Sequence, residues 1–430
     1  MKTIFWRLVA VVALGLVCTW AFAAGPGAGF VRRQGAGFVL AGRPYRYVGA
    51  NYWYGGLLAT QGAAGQARLK RELDFLRQHG IRNLRVMVGA EGLTHGYQYR
   101  VQQPLQTAPG EFDEHIAQGL DYLLAELARR DMKAVLHFTN TWEWSGGLGQ
   151  YLEWHGYQGQ PLPRNPGYDW NQYRAYIAQF YTCQPCQQDV AAYIRYVLAR
   201  RNTLTGRRYV DEPAIMAWEI INEPRAMLPV AEPAFEGWMR QTASLIKSLN
   251  NNHLLTTGSE GDIAADNDLP AYERLHADPH IDYLTIHIWP KNWGWFRDTA
   301  TAASLPDVLA RTRAYVARHA AVAQRLGKPL VVEEFGLPRD GRVFTPAAST
   351  AWRDQYYAAV FGLMREYPVI AGCNFWAFGG TARPMAGQVY WRPGDAYLGD
   401  PGGEEQGLNS VFDSDASTWS VIDKFLKNNS

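Results

Sequence analysis

Two glutamates, Glu223 and Glu334, each stand where a run of β-forming residues meets a strand breaker. The first ends Trp218-Glu219-Ile220-Ile221-Asn222-Glu223 ahead of Pro224; the second lies in Val331-Val332-Glu333-Glu334-Phe335 ahead of Gly336. Proline has no N–H for a ladder and pushes the residue before it out of the helical region toward an extended conformation. Glycine permits the turn after Glu334 at little steric cost. Two carboxylates at two strand tips, 111 positions apart, are what cleavage of a glycosidic bond needs. A retaining reaction wants a carboxylate nucleophile and an acid/base about 5 Å away, with different pKa values set by their surroundings. Asn222 supplies an amide able to hold a sugar 2-hydroxyl. Taken singly, each glutamate reads as an ordinary strand-end or ion-paired residue. Two such motifs on one predicted catalytic face point instead to chemistry.

The elements that would bring them together alternate along the chain. Strand-like segments are 45–50, 83–88, 133–139, 214–222, 253–258, 283–289, 330–335 and 369–378. Helix-like stretches are 65–79, 114–130, 189–201, 232–248, 306–326, 352–366 and 417–426, with a shorter one at 270–276. Pro306-Asp307 reads as a helix start, Val308, Tyr315, Val322 and Leu326 fall near a 3.6-residue period, and Gly327 reads as the stop. Eight strands alternating with about as many helices in roughly 380 residues predict an α/β fold, a (β/α)8 TIM barrel. A doubly wound sheet is the competing architecture, but no Gly-rich phosphate loop follows the first strand. A barrel places chemistry at the C-terminal ends of its strands, and both glutamates lie there, on strands four and seven. Residues 30–47 read as a short N-terminal hairpin turning near Ala41-Gly42. Three long connections, 140–188, 289–305 and 379–416, belong to the same face as the glutamates, where long loops are usually functional. Other carboxylates are assigned structural or substrate-contacting places: Glu333 on the opposite face from Glu334 by strand alternation, Glu219 deeper in the barrel, and Glu143 in an aromatic loop.

Composition narrows the partners. A formal net charge of +2 gives no footprint for nucleic acid, an anionic membrane or a polyanion. With 47% apolar and 19% charged residues the chain can bury a large core. The aromatic content is the outlier: 16 Trp and 24 Tyr exceed what a core alone explains, and flat rings with polar rims suit sugars. The start has a basic end, an apolar run from Leu8 to Phe22 and a small-residue exit at Ala21-Phe22-Ala23. That pattern predicts a signal peptide over 1–23, a single domain over 24–430, and a secreted or periplasmic protein without membrane association after cleavage. Cys183-Gln-Pro-Cys186 reads as a redox motif, half a zinc site or a local disulfide; export and the lack of a second ligand pair favour the disulfide. Cys373 reads as a buried free thiol.

The set Asn222-Glu223-Pro224, Glu334-Phe335-Gly336, Asn83-Leu84-Arg85-Val86, Thr285-Ile286-His287 and Asn374-Phe375-Trp376 resembles glycoside hydrolase family 5. More narrowly, Gly49-Ala50-Asn51-Tyr52-Trp53-Tyr54, Trp142-Glu143-Trp144-Ser145-Gly146-Gly147, Tyr209-Val210-Asp211-Glu212-Pro213-Ala214 and Gln406-Gly407-Leu408-Asn409-Ser410 are similar to its β-mannanases. The resemblance implies that Glu223 is the acid/base, Glu334 the nucleophile and Asn222 the 2-hydroxyl ligand. It implies that Arg85 pairs with the nucleophile, His287 borders the acid/base, and Trp376 floors the sugar at the cleavage point. Arg225 falls on the leaving-group side, and Trp53 and Trp142 join the substrate-binding set. Two places depart from the family pattern. Trp289 stands where many members have a tyrosine that contacts the nucleophile, which suggests a sugar platform with Trp293 and Trp295 instead. The run Asp400-Pro401-Gly402-Gly403-Glu404-Glu405 differs from the Asp-Pro-Pro-His-Glu-Pro run of bacterial members, leaving the last loop undefined.

The expected activity is therefore a retaining endo-attack on β-1,4-mannosidic bonds of mannan, glucomannan or galactomannan, by a monomer needing no cofactor and no metal. An exo-acting β-mannosidase, a β-1,4-glucanase and a catalytically inactive carbohydrate-binding barrel are the competing expectations. The last would require the loss of Glu223, Glu334, Asn222 or Arg85, and all four are present.

Overall fold

Eight strands rise in parallel through the centre of the chain, each buried along its whole length. In the computed structural model, which describes residues 29–92, 97–162, 165–297 and 301–428, these are β1 (Tyr47–Asn51), β2 (Asn83–Met87), β3 (Lys133–Asn140), β4 (Ile215–Asn222), β5 (Leu254–Thr256), β6 (Leu284–Ile288), β7 (Leu330–Phe335) and β8 (Ile370–Phe375). Burial on both faces is why they read as near-continuous apolar runs rather than an in–out alternation. The order across the sheet is β5-β4-β3-β2-β1-β8-β7-β6. Its two edges are consecutive in sequence, and they meet: Asp282 donates to the Leu255 carbonyl at 2.8 Å, Thr256 Oγ1 to the Tyr283 carbonyl at 2.9 Å, and His287 N–H to the Glu260 carbonyl at 2.9 Å. The ring is thereby closed by backbone and side-chain bonds where the regular ladder lapses, and the fold is the expected (β/α)8 barrel.

Around it lie α1 (Gly62–Gln78), α2 (Glu114–Arg129), α3 (Gln184–Ala199), α4 (Glu232–Leu249), α5 (Leu269–His276), α6 (Thr301–Leu326), α7 (Ala351–Glu366) and α8 (Ala416–Lys427). α2 shows local coding: Asp113 caps it by accepting from His115 N–H at 2.8 Å and Ile116 N–H at 3.3 Å. α6 shows where local coding misleads. It begins at Thr301 and carries Pro306 inside, so the proline is not its start. The apolar stripe is as expected, with Val308, Tyr315 and Val322 fully buried, and Gly327 at φ +61° ends the helix.

The predicted N-terminal hairpin gains a strand. Arg32–Gln34, Gly37–Leu40 and Arg43–Tyr45 form an antiparallel three-stranded sheet. Phe38 from it packs on Tyr283, joining Val135, Met216, Leu254 and Val331 at the N-terminal ends of the strands. This plug seals the barrel opposite the glutamates. The predicted signal segment lies outside the described residues. No helix among the described residues is long and apolar enough to cross a membrane.

The long connection after β3 is not irregular throughout: it holds helices at Gly147–Trp154 and Trp170–Ala178. Cys183 and Cys186 are joined by a disulfide at the start of α3, and Cys373 is a buried free thiol. Closing so short a loop is worth about 2 kcal/mol in chain entropy. The C183S/C186S double variant should therefore melt at lower temperature while keeping its activity at 25 °C. An unchanged melting temperature would mean that packing alone holds this segment.

Candidate active site

β4 carries Glu219 and Asn222 inward and then stops. Glu223 follows with φ +53°, a left-handed backbone that costs a non-glycine residue roughly 1–3 kcal/mol. The extended conformation expected before Pro224 is thus absent at Glu223. A tertiary bond overrides the local preference: Glu223 N–H donates to the Gly258 carbonyl at 3.0 Å. That approach needs glycine on the other side. Gly258 sits at φ +82°, and a Cβ there would stand 2.1 Å from the Ile221 carbonyl and 2.3 Å from Glu219 Oε1.

β7 positions Glu334, and it does so through an irregularity. Ile286 of β6 pairs with Val332 of β7, whereas the next residue, His287, pairs with Glu334. Glu333 is the extra residue of a bulge. It does not point to the opposite face as strand alternation predicted; its Oε2 lies 3.7 Å from Arg85 Nε and 3.5 Å from His287 Nε2. Both glutamates of the pair therefore face the barrel interior. Asn51 Nδ2 satisfies the bulged Glu333 carbonyl at 2.9 Å. Gly336 is needed for closeness rather than for its φ: a Cβ there would meet the Trp376 carbonyl at 3.1 Å and the Trp289 ring at 3.2 Å.

Arg85 rises from β2 into the middle of these groups. It grips Glu219 with Nε at 2.8 Å and Nη2 at 2.6 Å, donates from Nη1 to Glu334 Oε1 at 2.5 Å, and donates from Nη2 to Asn222 Oδ1 at 2.6 Å. Asn222 then donates to Asn140 Oδ1 at 2.9 Å, which leaves its amide in one orientation. His287 Nδ1 lies 2.8 Å from Glu223 Oε1, and the Trp142 indole N–H donates to the other oxygen of Glu223. One oxygen of Glu223, one of Glu334 and a nitrogen of His287 all fall within 4.8 Å of one another. The expected pair is thus assembled, on the mouth of the barrel, with Arg85 on Glu334 and His287 nearest Glu223, its Nδ1 lying 3.5 Å from Glu334 Oε2.

Trp289 corrects an expectation. Its Nε1 donates to Glu334 Oε2 at 3.0 Å, so the indole supplies the hydrogen bond that a tyrosine hydroxyl would give. Its ring packs edge-on against Trp376, with centroids 5.8 Å apart, and not with Trp293 and Trp295, which pair with each other at 4.9 Å. A cavity of about 600 Å³ opens above the glutamates. Trp142, Trp289, Trp376, Asn222 and Arg225 line it. Trp53 does not. It is buried beneath Trp144, and its indole N–H is spent on the Gly399 carbonyl at 2.9 Å. Its place is structural.

Glu260 was not singled out in the sequence, although it too lies just past a strand tip. It takes Arg225 Nε at 2.6 Å and holds that guanidinium over Trp142, 5.3 Å from the ring centre. Trp170 and Glu404 also line the cavity; nothing around Trp170 in the sequence marks it, whereas Glu404 lies in the run that departs from the bacterial family pattern. The loop that holds Glu404 is organised by Asp400, which accepts from the backbone N–H groups of Gly407, Asn409 and Ser410 at 2.8, 3.0 and 3.1 Å.

Burial dominates the electrostatics. It pushes both Glu223 and Glu334 above the ordinary carboxylate value, Glu334 the more strongly because the charge of Glu223 adds to it. Hydrogen bonding acts the other way on Glu334, whose two oxygens receive N–H groups from Arg85 and Trp289. Burial pushes His287 down, so its imidazole is neutral at pH 7. Burial also pushes Glu91 up to about 8, and Glu143 and Glu260 up to about 7. The folded state therefore holds protons between the unfolded carboxylate value and these values that the unfolded chain has released. Stability from these groups is present at low pH and lost as pH rises through 7 to 8. Below about pH 6.5 the buried neutral histidines His253, His276 and His319 act in the opposite sense, so the melting temperature should fall between about pH 7 and 8.5; a rise over that interval would contradict the assignment.

A barrel whose mouth gathers two buried carboxylates, an arginine clamp and a rim of indoles is built as a glycoside hydrolase. Residues 28–429 match the model of the glycoside hydrolase family 5 β-mannosidase-like group, and the chain belongs to that family. Two solved relatives bear on the architecture. A glycoside hydrolase family 5 mannosidase from Rhizomucor miehei, in complex with mannosyl-fructose, is 32% identical with a TM-score of 0.85, covering 94% of this chain and 97% of its own. An endo-1,4-β-mannanase from the same organism shares the fold at 23% identity and a TM-score of 0.66, over 93% of this chain and 99% of its own. Among curated proteins, mannan endo-1,4-β-mannosidase 1 of Oryza sativa subsp. japonica is 30% identical over 420 residues, 93% of this chain and 86% of that one. Mannan endo-1,4-β-mannosidase 7 of Arabidopsis thaliana is 30% identical over 367 residues, 82% of this chain and 78% of that one.

Proposed function

We propose that this chain is an exported, retaining β-1,4-mannan hydrolase. The observation that carries the mechanism is the separation of the glutamates. Oxygens within 4.8 Å match the close spacing of nucleophile and acid/base in retaining enzymes rather than the roughly 6.5–9.5 Å between the carboxyls of an inverting one. Glu334 attacks the anomeric carbon while Glu223 protonates the departing oxygen. Glu223 then deprotonates the incoming water, and the glycosyl–Glu334 ester is released. A single proton resides on the pair in the resting state. Glu334 receives two N–H donors, one of them from a guanidinium, against the single indole N–H of Trp142 on Glu223, whose other oxygen faces a neutral imidazole, so the proton belongs on Glu223. Asn222, fixed by Arg85 and Asn140, lines the cavity and has a second Nδ2–H for the 2-hydroxyl. Trp376 forms the apolar floor, and Arg225 over Trp142 marks the leaving-group side. The Cys183–Cys186 disulfide supports export to an oxidising compartment.

The names of the plant relatives support internal attack on the polymer. One observation favours exo-action instead: Lys291 Nζ meets Glu405 at 3.3 Å, and Arg342 meets it at 2.6 Å, tying the loops after β6, β7 and β8 into a wall beside the cavity. Hydrolysis of mannan, glucomannan and carboxymethylcellulose side by side, with product sizes followed over time, decides. Early mixed oligosaccharides from mannan establish endo-cleavage. Single sugars released from the first minutes establish exo-cleavage. Turnover confined to carboxymethylcellulose would overturn the mannan reading.

A further inference from the structure

Behind the two glutamates of the proposed mechanism lies a third that the mechanism leaves idle. Glu333 is buried, and neither of its carboxylate oxygens has a hydrogen-bond partner by strict geometry. The same holds for Nε2 of His287. These orphaned atoms face each other, Glu333 Oε2 to His287 Nε2, at 3.5 Å. An unpaired carboxylate and an unpaired imidazole nitrogen are costly when buried, so their juxtaposition implies a shared proton. The bulge that turns Glu333 inward lies between the residues opposite Ile286 and His287, and the pairing of β7 with β8 shifts over the same stretch, between Val332 and Phe335.

We propose that Glu333 is a positioning residue for the acid/base: it accepts Nε2–H of His287, fixing the tautomer whose bare Nδ1 receives the proton of Glu223. The chain Glu333, His287, Glu223 then runs in one direction. With Nε2 protonated, Nδ1 is an acceptor, and its 2.8 Å contact to Glu223 Oε1 requires that Glu223 be the donor. The opposite tautomer would donate to Glu223 and favour its ionised form, the wrong state for protonating a leaving group. The groups facing Glu333 fit the ionised carboxylate: Arg85 Nε at 3.7 Å can only donate, and Glu219 is engaged by Arg85. Tyr47, Tyr272 and Tyr283 are its other titratable neighbours, and burial keeps all three phenols neutral. On the Glu223 and His287 side the charged or titratable neighbours are Glu334, whose Oε2 lies 3.5 Å from His287 Nδ1, Arg85, Arg225, Glu260, Glu404 and neutral His137. None of these touches Nε2, so Glu333 is the group placed to set the tautomer.

The inference rests on Glu223 being the acid, and its test separates the two. Glu333→Gln keeps an acceptor for Nε2–H and removes the charge. Glu333→Leu removes both. With mannotriose as substrate, E333Q should keep kcat at its optimum within about threefold and shift the basic limb of the pH profile down by about one pH unit, because a negative charge that favoured the Glu223 proton is gone. E333L should lose kcat by roughly 10- to 100-fold with KM little changed. Nitrogen-15 spectra of histidine-labelled protein, with His287 assigned by His287→Gln, should show the neutral Nε2–H tautomer in the wild type and E333Q and its loss in E333L. Should E333L not fold, the isosteric E333Q limb and the wild-type tautomer carry the test. An Nδ1–H tautomer in the wild type, or an unmoved limb in E333Q, overturns the inference. The acid assignment is tested apart from this by Glu223→Ala: full activity there removes the reading of Glu223 whatever the tautomer, whereas lost activity with unmoved Glu333 variants removes only the role of Glu333.

Discussion

Glu334→Ala should abolish turnover of every substrate, whereas Glu223→Ala should be selective. Without Glu334 there is no nucleophile to form the glycosyl intermediate, and nothing else in the site can take its place. The expected loss in kcat is on the order of 10⁴-fold or more, for natural mannooligosaccharides and for aryl mannosides alike. Glu223 is needed in the first step only when the departing oxygen is basic. E223A should therefore lose about 10²–10⁴-fold on mannotriose yet still be glycosylated quickly by a dinitrophenyl mannoside, whose leaving group needs no proton. The second step, which wants Glu223 as a base, then becomes limiting, and a burst of dinitrophenolate should precede slow turnover. Equal losses for both substrates in E223A, or appreciable activity in E334A, would sink the assignment of roles.

Arg85 is the second place where one atom group supports a great deal. Its fork is shared by Glu219 at 2.6 and 2.8 Å, Glu334 at 2.5 Å, Asn51 at 3.1 Å and Asn222 at 2.6 Å, and Glu333 lies just beyond at 3.7 Å. Deleting the guanidinium leaves three buried carboxylates with no cation among them. Breaking a buried pair in this way costs about 3–5 kcal/mol. R85A should consequently melt several degrees lower. It should also be nearly inactive: without the arginine, burial drives Glu334 further up, so the nucleophile is protonated over the working range and the acid limb of the pH profile moves to higher pH. R85K tests geometry against charge. An ammonium cannot reach Glu219, Glu334 and Asn222 together, so lysine should recover part of the stability and little of the rate. Wild-type melting and kcat in R85A would show that the network is dispensable.

The glutamates and the barrel were legible in the sequence because each has a local signature, whereas Arg85 came only with the family resemblance. β-formers that end on Glu-Pro or Glu-Phe-Gly mark strand tips, and alternation with amphipathic helices marks a parallel barrel. His287 and Trp376 likewise came with the family resemblance and not with a local pattern. Glu333, Glu260, Trp53 and Trp289 were misjudged or overlooked because their places depend on contacts that no local pattern encodes. Alternation sent Glu333 outward, and a bulge between β6 and β7 turned it in. Trp53 was placed among the substrate-binding residues, but it is buried and the Gly399 carbonyl claims its N–H. The turn at Glu223 was expected to be extended, yet the bond to Gly258, 35 positions on in the chain, holds it left-handed at φ +53°.

By itself, then, the amino-acid sequence determined which strands exist, which of them end on carboxylates and that those ends share one face. Periodicity and strand breakers act over a few residues, so they can be read without knowing the neighbours. The tertiary structure alone decided how close Glu223 and Glu334 stand, which oxygens receive Arg85, Trp142 and Trp289, and which ring nitrogen of His287 faces which glutamate. Those are distances between groups 45 to 249 positions apart along the chain, and they are set by the register and bulges of the closed sheet. The pair announced by two strand tips becomes a nucleophile and an acid only because β2, β6 and β7 deliver different partners to each.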